Sequence, residues 1–330
     1  MFRRGVGRVS ACSTVDGAST LHTLYGATMG TRWCVDLVAP RALALEPLHA
    51  AVQARLDAIV AQMSTWEPDS DLARFNRAPA GSWHPLPEDF HRVMDCALRV
   101  ARDSAGAFDP AIGHLVAAWG FGAHAAARQA PAAQVLASAR DRSGWRRLVL
   151  RQDTRELLQP GGVALDLSAI AKGYGVDAVV DLLQARGVGA ALVEVGGELR
   201  GFGRKPDGTP WRVLVESGDD EDGEPCVVAL DDAAIATSGP YWQRYETDGR
   251  ARSHTIDPRS GEPVPDPPAA TSVVAASAML ADAWSTALAV MGMEAGIAFA
   301  DAQALAVRML PAGPAPQPRA SRAFDTRRAA

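Results

Sequence analysis

The sequence predicts an α+β fold: a largely antiparallel sheet core with helices packed outside it. Three observations point there. Strand and helix patterns do not alternate regularly, which argues against a doubly wound parallel sheet. Short strand patterns cluster instead, over 211–237, as an antiparallel meander. No internal repeat of 20–50 residues is present, so a solenoid or propeller is excluded.

The folded part is expected from Leu24. Tyr25 to Thr31 reads as a small-residue turn, and Arg32 to Leu37 as a strand. Leu48, Val52, Leu56, Ile59, Val60 and Met63 recur at helical spacing and predict a helix over 47–63. Ser64 to Asn76 is polar and carries Trp66 and Phe75. It reads either as a cap-and-turn cluster or as a lid whose Trp66 stacks on a flat ring. A second helix runs over 88–105, with Gly106 as its C-cap. Phe108 to Gly122 holds an Asp-Pro step and three glycines, so an irregular, geometrically fixed loop is expected. Pro131 to Arg142 reads as a surface helix, and 145–152 with 157–159 as a hairpin.

Val163-Ala164-Leu165 then leads as a strand into Asp166-Leu-Ser-Ala-Ile-Ala-Lys-Gly-Tyr-Gly-Val-Asp177. Val176, Val179, Val180 and Leu183 give the helix that follows, with Ser168 as its expected cap. Lys172 falls in the early turns, where backbone N–H groups and the dipole already favour an anion. A cation there is unfavourable unless a phosphate lies between. The other reading is a capped core helix with one exposed lysine.

Ala190 to Val195 is a strand ending in Gly196-Gly197, where backbone can approach a ligand without a Cβ. Ala234 to Thr237 ends in Ser238-Gly239. Ser253 to Pro258 is a short strand and turn. The last strong helix spans 278–292, with Asp282 and Thr286 four apart and so on one face. A carboxylate and a hydroxyl so placed suit Mg2+, a hard cation that prefers oxygen ligands. They equally suit a first-turn acid and a helix-facing hydroxyl.

The bulk numbers exclude several classes. The chain has 330 residues, 48% hydrophobic and 22% charged, with a net charge of −5. That is ordinary globular composition without a basic footprint for nucleic acid. Cys12, Cys34, Cys96 and Cys226 show no CxxC spacing, so neither zinc nor a disulfide framework is indicated. No apolar run reaches the roughly 18 residues of a membrane helix. Asp219 to Asp222 reads as a solvated hairpin loop. Residues 1–23 form an N-terminal segment in which Val9-Ser10-Ala11-Cys12 resembles a lipobox. No apolar h-region precedes it, so either the start is truncated or the resemblance is chance. Residues 311–330, rich in Pro, Ala and Arg, are expected to be a disordered tail beyond a 24–310 domain.

Eight pieces in order resemble the ApbE family of FAD:protein FMN transferases. They are Met29-Gly30-Thr31; the Ser64–Asn76 loop; Phe108-Asp109-Pro110 with Trp119 to Gly122; Asp166 to Gly173; Gly196-Gly197; Ala236 to Gly239; Ser253-His254 with Ile256-Asp257-Pro258; and Ala281-Asp282 with Thr286. The resemblance implies an ApbE-like fold and a Mg2+-dependent transfer of FMN from FAD to a Ser or Thr hydroxyl of an acceptor protein, with AMP leaving. It assigns the metal to Asp282, Thr286 and the Ala169 carbonyl. It assigns flavin nucleotide contacts to Met29, Gly30, Trp66, Asp109, Ser168, Lys172, Gly196, Gly197, Thr237, Ser238, Gly239, His254 and Ile256. Asp282 and His254 are the expected catalytic residues. His254 either takes the proton of the incoming hydroxyl or contacts FAD without proton transfer.

Trp66, Ser168, His114 and Glu194 depart from the family's common Tyr, Gly, Pro and polar amide. The resemblance implies as acceptor a subunit of a membrane redox complex, and a place on the periplasmic face of the inner membrane. A genuine start at Met1 would mean the cytoplasm instead. Two other activities fit the same residues: an FAD pyrophosphatase, with water as nucleophile, and a non-catalytic FAD-binding protein.

Overall fold

The structure is a computed structural model that describes residues 19–123, 129–215, 226–239, 244–247, 250–313 and 317–327. The acidic run at 219–222 and Cys12 lie outside the described residues.

The chain opens with β1 (Ser19–Thr28) and β2 (Thr31–Pro40), a hairpin closed by Met29 and Gly30. Both turn residues have positive φ, 49° and 69°. A two-residue turn matched to strand twist requires this, and glycine supplies it without strain. β1 therefore starts five residues before the expected boundary at Leu24 and runs through most of the expected turn.

α1 (Glu46–Met63) buries Leu48, Val52, Leu56, Ile59 and Met63 along one stripe. Next come α2 (Asp71–Asn76), β3 (Ser82–Pro85), α3 (Glu88–Asp103), α4 (Gly113–Ala118), α5 (Ala133–Asp141), β4 (Val149–Arg151) and β5 (Glu156–Gln159). α3 caps at Ser104, and Ala105 and Gly106 then turn with positive φ. The second half holds α6 (Ala171–Ala185), β6 (Ala191–Val195), β7 (Glu198–Phe202), β8 (Trp211–Val215), β9 (Cys226–Leu230), β10 (Ala233–Ser238), β11 (Arg244–Thr247) and β12 (Arg250–Ser253). It finishes with β13 (Ile256–Asp257), β14 (Glu262–Pro263), β15 (Ala270–Ala275), α7 (Ala278–Met291), α8 (Met293–Ala302), β16 (Ala306–Leu310), β17 (Arg319–Ala320) and α9 (Arg322–Asp325).

Eight strands make the main sheet in the order β1-β2-β6-β7-β10-β15-β16-β17, antiparallel at every pairing. The antiparallel α+β expectation holds. Alternate residues of its strands face two different cores. Val35, Leu37, Val193 and Val195 pack with Val52 and Leu56 of α1 and Val176, Val179 and Val180 of α6. Leu199 and Ile235 face the other way, onto Trp211, Val213, Val228 and Leu230. Each such side chain contributes about 1.5–3 kcal/mol by leaving water.

Four expectations need correction. Residues 163–165 form no strand: they are an extended segment clamped from both sides. Ser168 does not cap α6, whose N-cap is Ile170 without a side-chain bond. The Ser168 hydroxyl turns back to Asp166 instead. The expected meander is split, since β8 and β9 form their own hairpin while β10 joins the main sheet. The tail is not disordered throughout. β17 pairs with β16, and Phe324 is fully buried among Val215, Val228 and Ile235. Ser321 donates to the Leu305 carbonyl and accepts from Val307 N–H. One buried aromatic anchors a segment that composition reads as unstructured.

Candidate functional site

The site is built where α6 begins, α7 crosses it, and β7 and β10 end. Three backbone anchors hold the segment leading into α6. Asn76 grips Leu165 twice, its Oδ1 accepting from Leu165 N–H at 2.7 Å and its Nδ2 donating to Leu165 O at 3.0 Å. Asp166 N–H donates to Pro110 O, and Gly113 N–H to Ala164 O. The end of α2 at Asn76 and the loop at 108–113 thus serve to fix one short stretch. Asp109 belongs to that scaffold. Its carboxylate accepts from Ala111 N–H at 2.8 Å and Trp145 N–H at 3.0 Å. Burial pushes it up to about 6, and those bonds only partly offset the rise.

α6 and α7 meet at Gly173. A Cβ there would overlap the Ala278 carbonyl and sit 2.8 Å from Asp282 Cβ. The close approach lets Gly173 N–H donate to Asp282 Oδ2 at 3.0 Å. Gly173 is only the third residue of α6, with Ile170 as its N-cap, so this N–H is one of the orphan donors of a helix start and Asp282 satisfies it. Asp177, one turn further along α6, accepts from Ala278 and Met279 N–H at 3.0 and 2.9 Å and from Arg200 at 2.7 Å. It caps the start of α7 from outside and ties both helices to β7.

Lys172 sits beside Gly173 and forms an ion pair with Glu198, the first residue of β7. A Cβ on Gly196 would meet Thr31 and, at 3.3 Å, Lys172 Cδ, so the glycine pair borders the lysine stem. Burial alone would lower the Lys172 pKa; Glu198 and Asp282 reverse this and hold it above the usual range. Burial pushes Glu198 up to about 7, Lys172 opposes the rise, and Asp282 adds to it. Asp282 is 3% exposed, and burial raises it too, against Lys172 and the Gly173 N–H. Among the described residues one cation thus faces two carboxylates, and Glu198 Oε2 is buried with no hydrogen-bond partner.

Thr286, one turn along α7, lies 3.1 Å from the Ser238 hydroxyl, which lies 2.7 Å from Ser285 Oγ. Thr237 bonds Ser272 across the sheet at 2.8 Å. Among the described residues, no group of three or more His, Cys, Asp or Glu side chains is arranged to hold a metal. The oxygens at hand are different: the Asp282 carboxylate and the Thr286, Ser238 and Ser285 hydroxyls. These hard oxygens, with an excess of negative charge, fit Mg2+ better than a thiolate or imidazole metal.

Of the remaining expected residues, Met29 reaches α6, its Cε 3.3 Å from where a Gly175 Cβ would stand. Trp66, Ser168, His254, Ile256 and Gly239 are held by contacts outside this centre. Ser168 is exposed. Trp66 is 70% exposed on a turn whose N–H groups bond Ser64 Oγ. His254 stands edge-on to Phe121, with ring centroids 6.4 Å apart, and Ile256 is buried in the same apolar cluster. Gly122, next to Phe121, lies near Asp166: its Cβ would be 4.0 Å from Oδ2. Gly239 passes close to Ala269 O.

Sequence reasoning gave no role to Gly173, Asp177, Glu198 or Ser285. A glycine inside a helical pattern was the one available signal, since it costs stability unless something packs there.

The comparisons agree with this architecture. The ApbE family model matches residues 29–309. The chain is 37% identical over 305 residues to the FAD:protein FMN transferase of Klebsiella pneumoniae, covering 91% of this chain and 87% of the relative. It is 34% identical over 297 residues to that of Escherichia coli, covering 89% and 85%. Among solved structures it resembles the apo form of Pseudomonas stutzeri flavinyl transferase ApbE, with a TM-score of 0.87, 37% identity and coverage of 94% and 97%. The flavin transferase ApbE from Vibrio cholerae gives a TM-score of 0.85 at 33% identity, covering 94% and 99%. On sequence and fold together, this chain belongs to the ApbE family.

Proposed function

We propose that this protein transfers FMN from FAD to a Ser or Thr hydroxyl of an acceptor protein, with Mg2+, releasing AMP. The observation that carries the reading is the meeting of Asp282 from α7 with Lys172 and Gly173 from the first turn of α6. Relatives named FAD:protein FMN transferase, matched over most of their length, support the same chemistry.

Asp282, Thr286 and the Ala169 carbonyl would hold Mg2+, which when bound neutralises diphosphate charge and orients it for in-line attack. Lys172 adds a fixed positive charge to the N–H groups at the start of α6, and both favour an anionic diphosphate there. Glu198 holds the lysine in place, so little side-chain freedom is lost when the nucleotide arrives. His254 is the group to take the proton of the attacking hydroxyl. The acceptor oxygen bonds to the FMN-side phosphorus, the bridging P–O bond breaks, and AMP leaves with the electron pair. A subunit of a membrane redox complex is the proposed acceptor class.

The test is incubation with FAD, Mg2+ and an acceptor bearing a threonine in a small-residue motif. Intact-mass spectrometry should show a gain of one FMN unit. FMN and AMP released equally fast without acceptor would make the protein a pyrophosphatase. Intact FAD throughout would make it a binding protein.

A further inference from the structure

Ser285 has no part in the chemistry above, yet it is fully buried at its centre. Its hydroxyl donates to the Asp282 carbonyl at 2.8 Å. That carbonyl also lies four residues before Thr286, so regular helix geometry directs the Thr286 N–H to it. Its two lone pairs are then both taken. A helical threonine often sends its own hydroxyl proton to the carbonyl four residues back. Ser285 occupies that place.

The proton directions follow. A serine hydroxyl has one proton, and that of Ser285 is committed to the carbonyl. Across the 2.7 Å contact, Ser238 must therefore be the donor and Ser285 the acceptor. The proton of Ser238 is then spent. Across the 3.1 Å contact, Thr286 must donate and Ser238 accept. The Thr286 proton is drawn toward β10, and its free lone pairs are left for another partner.

We propose that Ser285 and Ser238 form a one-way hydroxyl relay that presents Thr286 as a pure acceptor to a divalent cation. Ser285 is thus a positioning residue for the metal site; the inference rests on the Mg2+ assignment made under the proposed function. The same relay disfavours a hydrogen-bond acceptor at Thr286, which has no proton left to give it.

The test is Mn2+ binding to the full chain without flavin, read from the free-ion signal in electron paramagnetic resonance. Thr286→Val, which leaves the Asp282 carboxylate in place, should weaken binding to a still measurable affinity. Ser285→Ala should weaken binding about 10–100-fold, the range for groups that orient a metal ligand. Ser285→Thr, which keeps the hydroxyl, should restore it. In a Thr286→Val background Ser285→Ala should add no further loss, because the relay then has nothing to orient. Unchanged Mn2+ affinity in Ser285→Ala, or losses that multiply in the double variant, overturns the relay while leaving the metal site standing. Thermal midpoints recorded alongside separate misfolding from lost affinity. Wild-type protein that takes up no Mn2+, or takes it up equally in Thr286→Val, overturns the metal assignment and the relay with it.

Discussion

Lys172 carries its charge where neither burial nor the helix start favours it, and two carboxylates supply the compensation. Asp109 shows the opposite balance: a buried carboxyl with no cation bonded to it, held by two backbone N–H groups. With its pKa raised from 3.8 to about 6, the neutral form is favoured by folding. Its stabilising contribution is complete below about pH 4 and lost as pH rises through about 6, by on the order of 3 kcal/mol. Asp109→Asn removes that titration. Urea unfolding at pH 4, 5, 6 and 7 should therefore show the wild-type advantage over the variant shrinking by up to about 3 kcal/mol; a constant difference would contradict the assignment. At this scale Lys172, Asp282 and Thr286 were legible, because they sit in ordered motifs and fixed helical spacings. Glu198 and Ser285 were not. Their roles arise from contacts 26 and 47 residues distant in sequence, with Lys172 and Ser238, and no local pattern encodes them.

The crossing of α6 and α7 is what turns those residues into a site. Gly173 permits the approach, and Asp177 caps α7 from α6. Gly173→Ala gains helix propensity of about 1 kcal/mol but places a methyl against the Ala278 carbonyl. Backbone cannot yield as a flexible side chain can, so a net loss of about 1–3 kcal/mol is expected. Separation of the helices should also lengthen the Gly173–Asp282 bond and reduce FAD turnover by more than tenfold, about 1.4 kcal/mol in the barrier. Turnover measured well below the variant's melting temperature would test this, and full activity there would contradict it. Long helices were readable because α1, α3 and α7 each carry an apolar stripe. The segment at 163–165 is no strand because its apolar residues Val163 and Leu165 face a core made largely by helices α1, α2, α3, α6 and α7, not a sheet neighbour. β7, β15, α8 and β16 escaped notice: nearly all of β15 and β16 is buried, so they lack the alternation that marks a half-exposed strand.

At the scale of the molecule, the eight-stranded sheet brings β7 and β10 side by side and leaves their ends under α6 and α7. Lys172 and Gly173, Glu198, Ser238, and Asp282 with Thr286, from four different elements, meet there although strand order departs from chain order. Local periodicity could supply the antiparallel α+β class, but not this order. The ordered set of eight motifs, read as a family resemblance, pointed to the meeting of the α6 start with Asp282, which spacing could not. Composition misled at the C-terminus, where Phe324 returns the chain to the sheet.

Under the proposed function, Asp282 commits this site to a metal-dependent cleavage of FAD. FAD affinity and FAD turnover are measured for wild type and Asp282→Ala across a Mg2+ titration. Turnover that rises with Mg2+ in the wild type, and is abolished with its Mg2+ dependence in the variant while much of the FAD binding remains, is the predicted result. A variant that still cleaves FAD in proportion to Mg2+ would contradict it.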